Sequence, residues 1–253
     1  MCRGVRNTEV PPKQSILVVG ASGSIGSAVA QSLAFAGFSV GLHYCSNTRA
    51  VNDLSELLHK ADCKSFVLQC NLSSIAECEG LVERFATGED QFYGIALCAG
   101  RVPWKAWQET DESAWQRVFC EHCIIPFGLA RSAQGKLSPG GRIVYLSSIS
   151  AKYGGSNTTI HYAASKAALE ISMKGLAREL ARSDILVNGV RAGFVDTPQQ
   201  RLGRSQLDID KRIGKIPLKR AGTTAEIGSA FSYLFSPGAT FITGEILTVA
   251  GGD

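Results

Sequence analysis

The sequence lacks any apolar run of the about 20 residues that a membrane-spanning helix needs, although 45% of its 253 residues are hydrophobic. The segment from Met1 to Arg6 also lacks the apolar core of a secretory signal. Internal repeats, low-complexity tracts and interdomain linkers are absent as well. We therefore expect a cytoplasmic protein with one domain, residues 15–253, preceded by a flexible extension at residues 1–14.

Long blocks of one charge are also missing. The formal net charge is only +4 and the Lys and Arg residues are dispersed, which argues against a nucleic-acid partner. No second Cys or His pair stands at a suitable distance from Cys120-Glu121-His122-Cys123 to complete a zinc site, so we expect no metal. We expect the cysteines to be buried free thiols instead. They are Cys2, Cys45, Cys63, Cys70, Cys78, Cys98, Cys120 and Cys123.

Short apolar runs alternate with helical stretches along the chain. Such alternation predicts an α/β fold, a Rossmann-type doubly wound sheet of about seven parallel strands with helices on both faces. The strand-like runs are 16–19, 38–42, 65–69, 94–97, 142–146, 185–190 and 246–249.

A glycine-rich turn follows the first strand-like run and precedes an amphipathic helical stretch. Glycines allow a tight turn and close backbone approach, and a helix start offers free amide groups to a pyrophosphate. The turn therefore predicts dinucleotide binding, although a flexible Gly/Ser turn is the alternative. The candidate cofactor-binding residues are Gly20, Ser22, Gly23, Ser24, Ile25 and Gly26.

Tyr162 and Lys166 are four residues apart in a helical stretch, which puts a phenol and an ammonium on one helix face. A free tyrosine titrates near pH ~10, and a neighbouring cation favours the phenolate. We expect the pair to act as an acid and base, with Lys166 lowering the pKa of Tyr162. A chance pairing on a helix is the alternative.

Several motifs occur in an order that resembles the short-chain dehydrogenase/reductase family, in wording closest to its 3-oxoacyl-[acyl-carrier-protein] reductase branch. They are the glycine turn, Cys98-Ala99-Gly100, residues 141–148, the Tyr162/Lys166 pair, residues 187–197 and residues 242–245. The resemblance covers residues 15–253. It implies an NAD(P)(H)-dependent oxidoreductase acting on CH-OH or ketone groups, and a homodimer or homotetramer built by helices near 113–134 and 162–181 and by the carboxyl-terminal strand region.

The resemblance also implies roles for individual side chains. Ser148 would hold the substrate carbonyl, with Ser147 and Ser150 as rivals, while Tyr162 donates the proton and Lys166 binds the nicotinamide ribose. Further cofactor contacts implied by the resemblance are Asn71, Leu72, Ala99, Gly100, Tyr162, Val195 and Thr197.

The end of the second strand bears on the choice of nicotinamide cofactor. An acidic residue there would bond a ribose 2′-hydroxyl and repel a 2′-phosphate, but residues 38–52 contain no Asp or Glu. We therefore expect NADP(H) rather than NAD(H), although the glycine turn lacks the family's usual basic residue. A strand-end His43 without a ligand is the alternative reading. The residues expected near the 2′-phosphate are His43, Tyr44, Ser46, Asn47 and Arg49.

Three positions depart from the family pattern. Cys98 replaces an asparagine, and Arg191-Ala192-Gly193 stands where Pro-Gly is usual. His122 aligns with an asparagine that fixes a water near the lysine. We expect His122 to substitute for it and to change the pH dependence, because histidine can also hold water and relay protons.

The segment 201–220 contains seven Lys or Arg residues against two Asp. It resembles the mobile cover of the family's substrate pocket, and a basic cover favours an anionic handle such as a phosphopantetheine arm or an acidic acyl carrier protein. A solvated surface segment is the alternative.

Three functions are compatible with these features. The favoured one is NADPH-dependent reduction of a 3-oxoacyl or polyketide-like thioester on acyl carrier protein or CoA. The second is a dehydrogenase or reductase of a small alcohol, sugar or steroid. The third is a cofactor-binding regulatory or assembly subunit that has lost turnover.

Overall fold

The computed structural model describes residues 13–88, 90–202 and 204–253. Most of the predicted extension, residues 1–12, lies outside the described residues, and the first strand begins at Gln14. Within the described residues the strands form one parallel sheet in the order β3-β2-β1-β4-β5-β6-β7, which confirms the predicted fold class. The strands are β1 (Gln14–Val19), β2 (Ser39–Tyr44), β3 (Ser65–Gln69), β4 (Gln91–Leu97), β5 (Arg142–Ser148), β6 (Leu186–Ala192) and β7 (Ile246–Val249).

Helices connect successive strands, as parallel pairing requires. Where the chain is described, they are α1 (Ser24–Phe35), α2 (Thr48–Lys60), α3 (Ile75–Ala86), α4 (Glu112–Phe119), α5 (Ile125–Ala133), α6 (Ser150–Tyr153), α7 (Ile160–Leu180), α8 (Pro198–Arg201), α9 (Gln206–Lys215) and α10 (Thr224–Phe235). A π-helical turn, Cys120–Ile124, joins α4 to α5. None of the described helices is long and apolar enough to cross a membrane.

Two apolar layers hold the sheet between its helices. Leu33 of α1, Leu54 of α2 and Phe231 of α10 pack on one face of the sheet. On the other face, Leu81 of α3 packs with Met173 of α7. The strand order reverses between β1 and β4, so the carboxyl ends of these strands open a crevice where doubly wound folds bind ligands.

The cysteines do not share one environment. Cys78 and Cys98 are buried free thiols, as predicted. The prediction is wrong for Cys45, which is exposed because it lies just beyond the end of β2. It holds only in part for the half-buried Cys63, Cys70, Cys120 and Cys123. Cys2 lies outside the described residues.

Candidate active site

The glycine turn forms a cradle at the end of β1. Gly20 has a φ of +86°, and a Cβ there would lie 2.7 Å from the backbone of Ala99. A Cβ on Gly26 would lie 2.1 Å from the Gly20 oxygen. Only glycine fits these two positions, because the turn needs a left-handed residue and then a helix packed against it.

Helix α1 begins directly after this cradle. Gly23 is its N-cap and offers no side-chain hydrogen bond, and the first turn holds no acidic residue. The amide groups and the positive end of the helix dipole are therefore free for an anion. Together the cradle and the helix start fit the pyrophosphate of a dinucleotide, and the residues Gly23, Ser24, Ile25 and Gly26 line the cleft.

Ser148 and Tyr162 line the same cleft as the helix start. Ser148 ends β5, and its hydroxyl accepts a hydrogen bond from the amide of Ser150 at 3.2 Å. The hydroxyl of Ser148 is also near enough to that of Tyr162 to lower the pKa of the phenol. Two hydroxyl groups thus meet in the cleft, where both could donate to one substrate oxygen.

The pKa of Tyr162 is raised to about 12, chiefly because the phenol is buried, while the neighbouring Ser148 hydroxyl lowers it by less. The pKa of Tyr162 therefore lies above its usual value rather than below it, and a lowering contribution from Lys166 stays a prediction. The Lys166 ammonium lies 5.9 Å from the Tyr162 ring centroid and donates to the carbonyl of Leu146 at 2.8 Å. Burial also lowers the pKa of Lys166 to about 8. At neutral pH Tyr162 is a protonated donor beside a cation.

The Ser147 hydroxyl already donates to a carboxylate, so it is not the group that holds the substrate carbonyl. This hydroxyl donates to Glu170 at 2.6 Å, and Glu170 also binds Arg191 through two hydrogen bonds of 2.9 and 2.6 Å. Sequence reasoning missed this buried cluster, although Glu170 follows Lys166 by one helical turn on the face that carries the catalytic candidates. The cluster ties α7 to β5 and β6 directly beneath the cleft.

His122 lies in the π-helical turn and packs edge-on against Tyr162, with ring centroids 5.0 Å apart. Its Nε2 donates to the carbonyl of Arg101 at 2.8 Å, and its buried Nδ1 has no hydrogen-bond partner among the described residues. Burial lowers the pKa of His122 to about 3. The ring is therefore neutral above pH ~5, so any water it holds there is held by a neutral imidazole, and its effect on the pH dependence of activity stays a prediction.

His43 is not available to a 2′-phosphate. Its Nδ1 accepts from the amide of Gly20 at 3.1 Å, and its Nε2 bonds the carbonyl of Cys70 at 3.1 Å. Only 3% of the residue is exposed, and burial lowers its pKa to about 4. The prediction that His43 contacts the cofactor is wrong, because the ring bridges the glycine turn and the β3 end from inside.

The buried neutral His43 makes stability depend on pH. A histidine with a folded pKa of about 4, against 6.5 unfolded, stabilises the fold fully only above pH 6.5 and loses this contribution as pH falls. From pH 7 to 5 we expect His43 alone to cost roughly 2 kcal/mol. Urea unfolding at both pH values measures the decrease in unfolding free energy. This decrease should be smaller by that amount in His43→Gln than in the unaltered protein, and unchanged in the exposed control His59→Gln. Equal drops in all three proteins would contradict this.

The other predicted cofactor contacts fall into two groups. Gly100, Val195 and Thr197 line the cleft, and Ala99 packs against Gly20. The second group surrounds the ends of β2 and β3, outside the cleft lining: these residues are Tyr44, Ser46, Asn47, Arg49, Asn71 and Leu72. Ser22 lies within the turn itself. The role of each group in binding a dinucleotide stays a prediction.

The segment 201–220 is less cationic than its composition predicts. Arg201 pairs with Asp196, Arg212 with Asp253, and Arg220 with Glu226. These contacts neutralise part of the positive charge.

A stacked pair missed by sequence reasoning lies next to a residue of the cleft lining. The Arg204 guanidinium lies 4.2 Å from the Trp104 ring centroid and donates to Gln200, which lines the cleft. The stacking holds the guanidinium over the indole ring by a cation–π contact.

The model of a protein family described as enoyl-(acyl carrier protein) reductase matches residues 20–253. A curated relative, the uncharacterized oxidoreductase YmfI of Bacillus subtilis strain 168, is 33% identical over 246 residues, covering 94% of this chain and 98% of the relative. The 3-oxoacyl-[acyl-carrier-protein] reductase FabG of Aggregatibacter actinomycetemcomitans is 29% identical over 245 residues, and the match covers 94% of this chain and 98% of FabG.

Among solved structures, the angucycline C-6 ketoreductase LanV with bound NADP superposes with a TM-score of 0.88. It is 26% identical, and the match covers 94% of this chain and 95% of that one.

Proposed function

This chain belongs to the short-chain dehydrogenase/reductase family of NAD(P)-dependent oxidoreductases, and from that premise we propose that it reduces a ketone to a secondary alcohol with NADPH. The observation that carries the proposal is the meeting of the Ser148 and Tyr162 hydroxyls in the cleft that also holds the start of α1. The favoured substrate is a 3-oxoacyl or polyketide-like thioester on acyl carrier protein or CoA, since relatives include a 3-oxoacyl reductase and a ketoreductase.

The bound nicotinamide supplies hydride to the carbonyl carbon. Ser148 and Tyr162 hold the carbonyl oxygen by two hydrogen bonds, so that the oxygen is fixed before charge develops on it. Tyr162 then gives its proton to the alkoxide oxygen, a stronger base than the phenolate. Its raised pKa keeps it protonated at neutral pH, as a donor must be.

Lys166 stabilises the phenolate that this transfer leaves behind. Its ammonium donates to the Leu146 carbonyl and lies 5.9 Å from the centroid of the Tyr162 ring, so in this buried site it attracts the negative charge of the phenolate. The same ammonium is the group we assign to the nicotinamide ribose. His122 has a narrower role: its neutral ring fixes the Tyr162 ring, and its Nδ1, which no group in the described part of the chain bonds, can accept a hydrogen bond from a water.

Both ring nitrogens of His43 are already hydrogen-bonded within the protein. We therefore propose that Ser46, Asn47 and Arg49 at the start of α2 bind the 2′-phosphate. The Arg49 side chain is 91% exposed and only loosely paired with Asp53 at 3.8 Å, so it is free to turn toward a phosphate. The NADP bound to LanV supports the same preference.

Two apolar surfaces favour a homo-oligomer. Ile124, Phe127 and Ile171 are exposed on the α5 and α7 side, and Phe241 is exposed before β7. We propose a two-fold dimer through the first surface, and a tetramer where both are used.

The test measures NADPH oxidation with acetoacetyl-CoA, an acetoacetyl acyl carrier protein, and a panel of simple ketones, with NADH in parallel. We expect turnover of the acetoacetyl thioesters. We also expect at least about tenfold preference for NADPH over NADH, because one ion pair between Arg49 and the 2′-phosphate contributes about 1.4 kcal/mol, which corresponds to tenfold in affinity. Turnover confined to simple ketones would favour the small-molecule reductase, a reading that the neutralised cover supports. Cofactor binding without turnover on any substrate would contradict both.

A further inference from the structure

Cys45 and Cys70 follow directly on the neighbouring strands β2 and β3. The strands pair with Tyr44 opposite Gln69, so the two cysteines occupy the next register position. Hydrogen bonds continue across this position, from the Cys70 amide to Tyr44 at 3.0 Å and from the Gln69 side chain to the Cys45 carbonyl at 2.9 Å. Paired strands lie about 4.8 Å apart, and a disulfide spans Cα atoms about 4.4–6.8 Å apart.

Both side chains lie on the same side of the sheet. Cys70 packs against the apolar layer formed by α3, α5 and α7, and Gly41 of β2 faces Phe85 in that layer. Side chains alternate along a strand, so Cys45 shares the side of Gly41. The Cys45 thiol donates to the side chain of Asn71, the residue after Cys70, at 3.4 Å. The two thiols are also close enough that Cys45 helps to raise the pKa of Cys70, after burial as the larger cause.

We infer that Cys45 and Cys70 are a thiol pair that forms a reversible disulfide and thereby weakens binding of the cofactor's adenosine end. The oxidant is a low-molecular-weight disulfide such as glutathione disulfide. The exposed Cys45 thiolate attacks one of its sulfurs, forms a mixed disulfide and releases one glutathione thiolate. The Cys70 thiolate then attacks the Cys45 sulfur and releases the second glutathione. Two electrons pass from the cysteines to glutathione disulfide, and their two protons pass to the released thiolates.

The link would disturb the part of the site assigned to the adenosine ribose. Cys45 precedes Ser46 and holds Asn71, both proposed cofactor contacts, and the Cys70 carbonyl bonds the His43 ring that supports Gly20. Drawing the Cys45 sulfur onto Cys70 removes its bond to Asn71 and brings the two strand ends together. This consequence rests on the proposed cofactor site, whereas formation of the disulfide does not.

The experiment equilibrates the full-length protein with glutathione disulfide, blocks remaining thiols and maps linked peptides by mass spectrometry. We expect a Cys45–Cys70 link in the unaltered protein and in the control Cys63→Ser, whose thiol lies on the other side of the sheet. The link should be absent in Cys45→Ser and Cys70→Ser. Fluorescence titration should show NADPH affinity lowered at least fivefold by oxidation, restored by dithiothreitol, and insensitive to oxidation in Cys45→Ser.

The outcomes separate the inference from the proposed function. A Cys45 that carries only glutathione, or that links to another cysteine, would overturn the pair. A mapped Cys45–Cys70 link with unchanged NADPH affinity would overturn the control of binding. A protein that binds no NADPH in either state would count against the proposed function, while the linked peptide would still decide whether the thiols pair.

Discussion

Replacing Tyr162 with Phe is expected to lower turnover about 10²–10⁴-fold while NADPH affinity stays within about threefold, because only the transferable proton is removed. The ring keeps its contact with His122, and the Ser148 hydroxyl remains in the cleft. The loss should therefore appear in kcat rather than in cofactor binding. Steady-state kinetics with the best substrate from the screen, together with fluorescence titration of NADPH, measure the two quantities.

The matched control is Tyr153→Phe, which removes the hydroxyl of an exposed tyrosine on α6. It should leave kcat unchanged. If Tyr162→Phe retains full turnover, the proton comes from another group and the proposed mechanism fails. If instead NADPH affinity falls with kcat, the phenol supports the cofactor rather than the reaction.

Replacing Glu170 with Ala is expected to cost about 3–5 kcal/mol of unfolding free energy, since it leaves the Arg191 guanidinium largely buried without its carboxylate. The side chains of Arg191 and Glu170 are only 19% and 11% exposed, and the substitution also removes the acceptor of the Ser147 hydroxyl. Urea unfolding at pH 7 gives the comparison.

Two further variants separate charge from position. Glu170→Gln keeps an acceptor for Ser147 and should show an intermediate loss. Glu79→Ala removes the partner of Arg131 in a pair that is 54% and 49% exposed, and should cost less than about 1 kcal/mol. A loss in Glu170→Ala no larger than that in Glu79→Ala would show that the buried pair contributes little.

The fold was predictable because its signals are local. Each strand is a short apolar run bounded by turn residues, and alternation with helices leaves little choice but a parallel sheet. The glycine turn was predictable for the same reason: Gly20 and Gly26 are needed within one turn, so their spacing is visible along the chain.

The electrostatics of the site were not predictable because they depend on burial by distant segments. Tyr162 and Lys166 show their spacing in the sequence, but not that both are desolvated and that the ammonium bonds Leu146. His43 has the residue type of a phosphate ligand, yet Gly20 and Cys70 take both its nitrogens. The Glu170–Arg191 pair joins residues 21 positions apart, which no local pattern indicates.

The π-helical turn at Cys120–Ile124 fixes the rotational phase between α4 and α5. Such a turn accommodates one residue more than an α-turn, and one residue corresponds to about 100° of rotation. Deleting a residue within it would swing the preceding helix around its axis and withdraw the imidazole from the phenol ring. Chimaeras with homologous enzymes should therefore take residues 112–133 from one parent, with crossover points in the loops on either side.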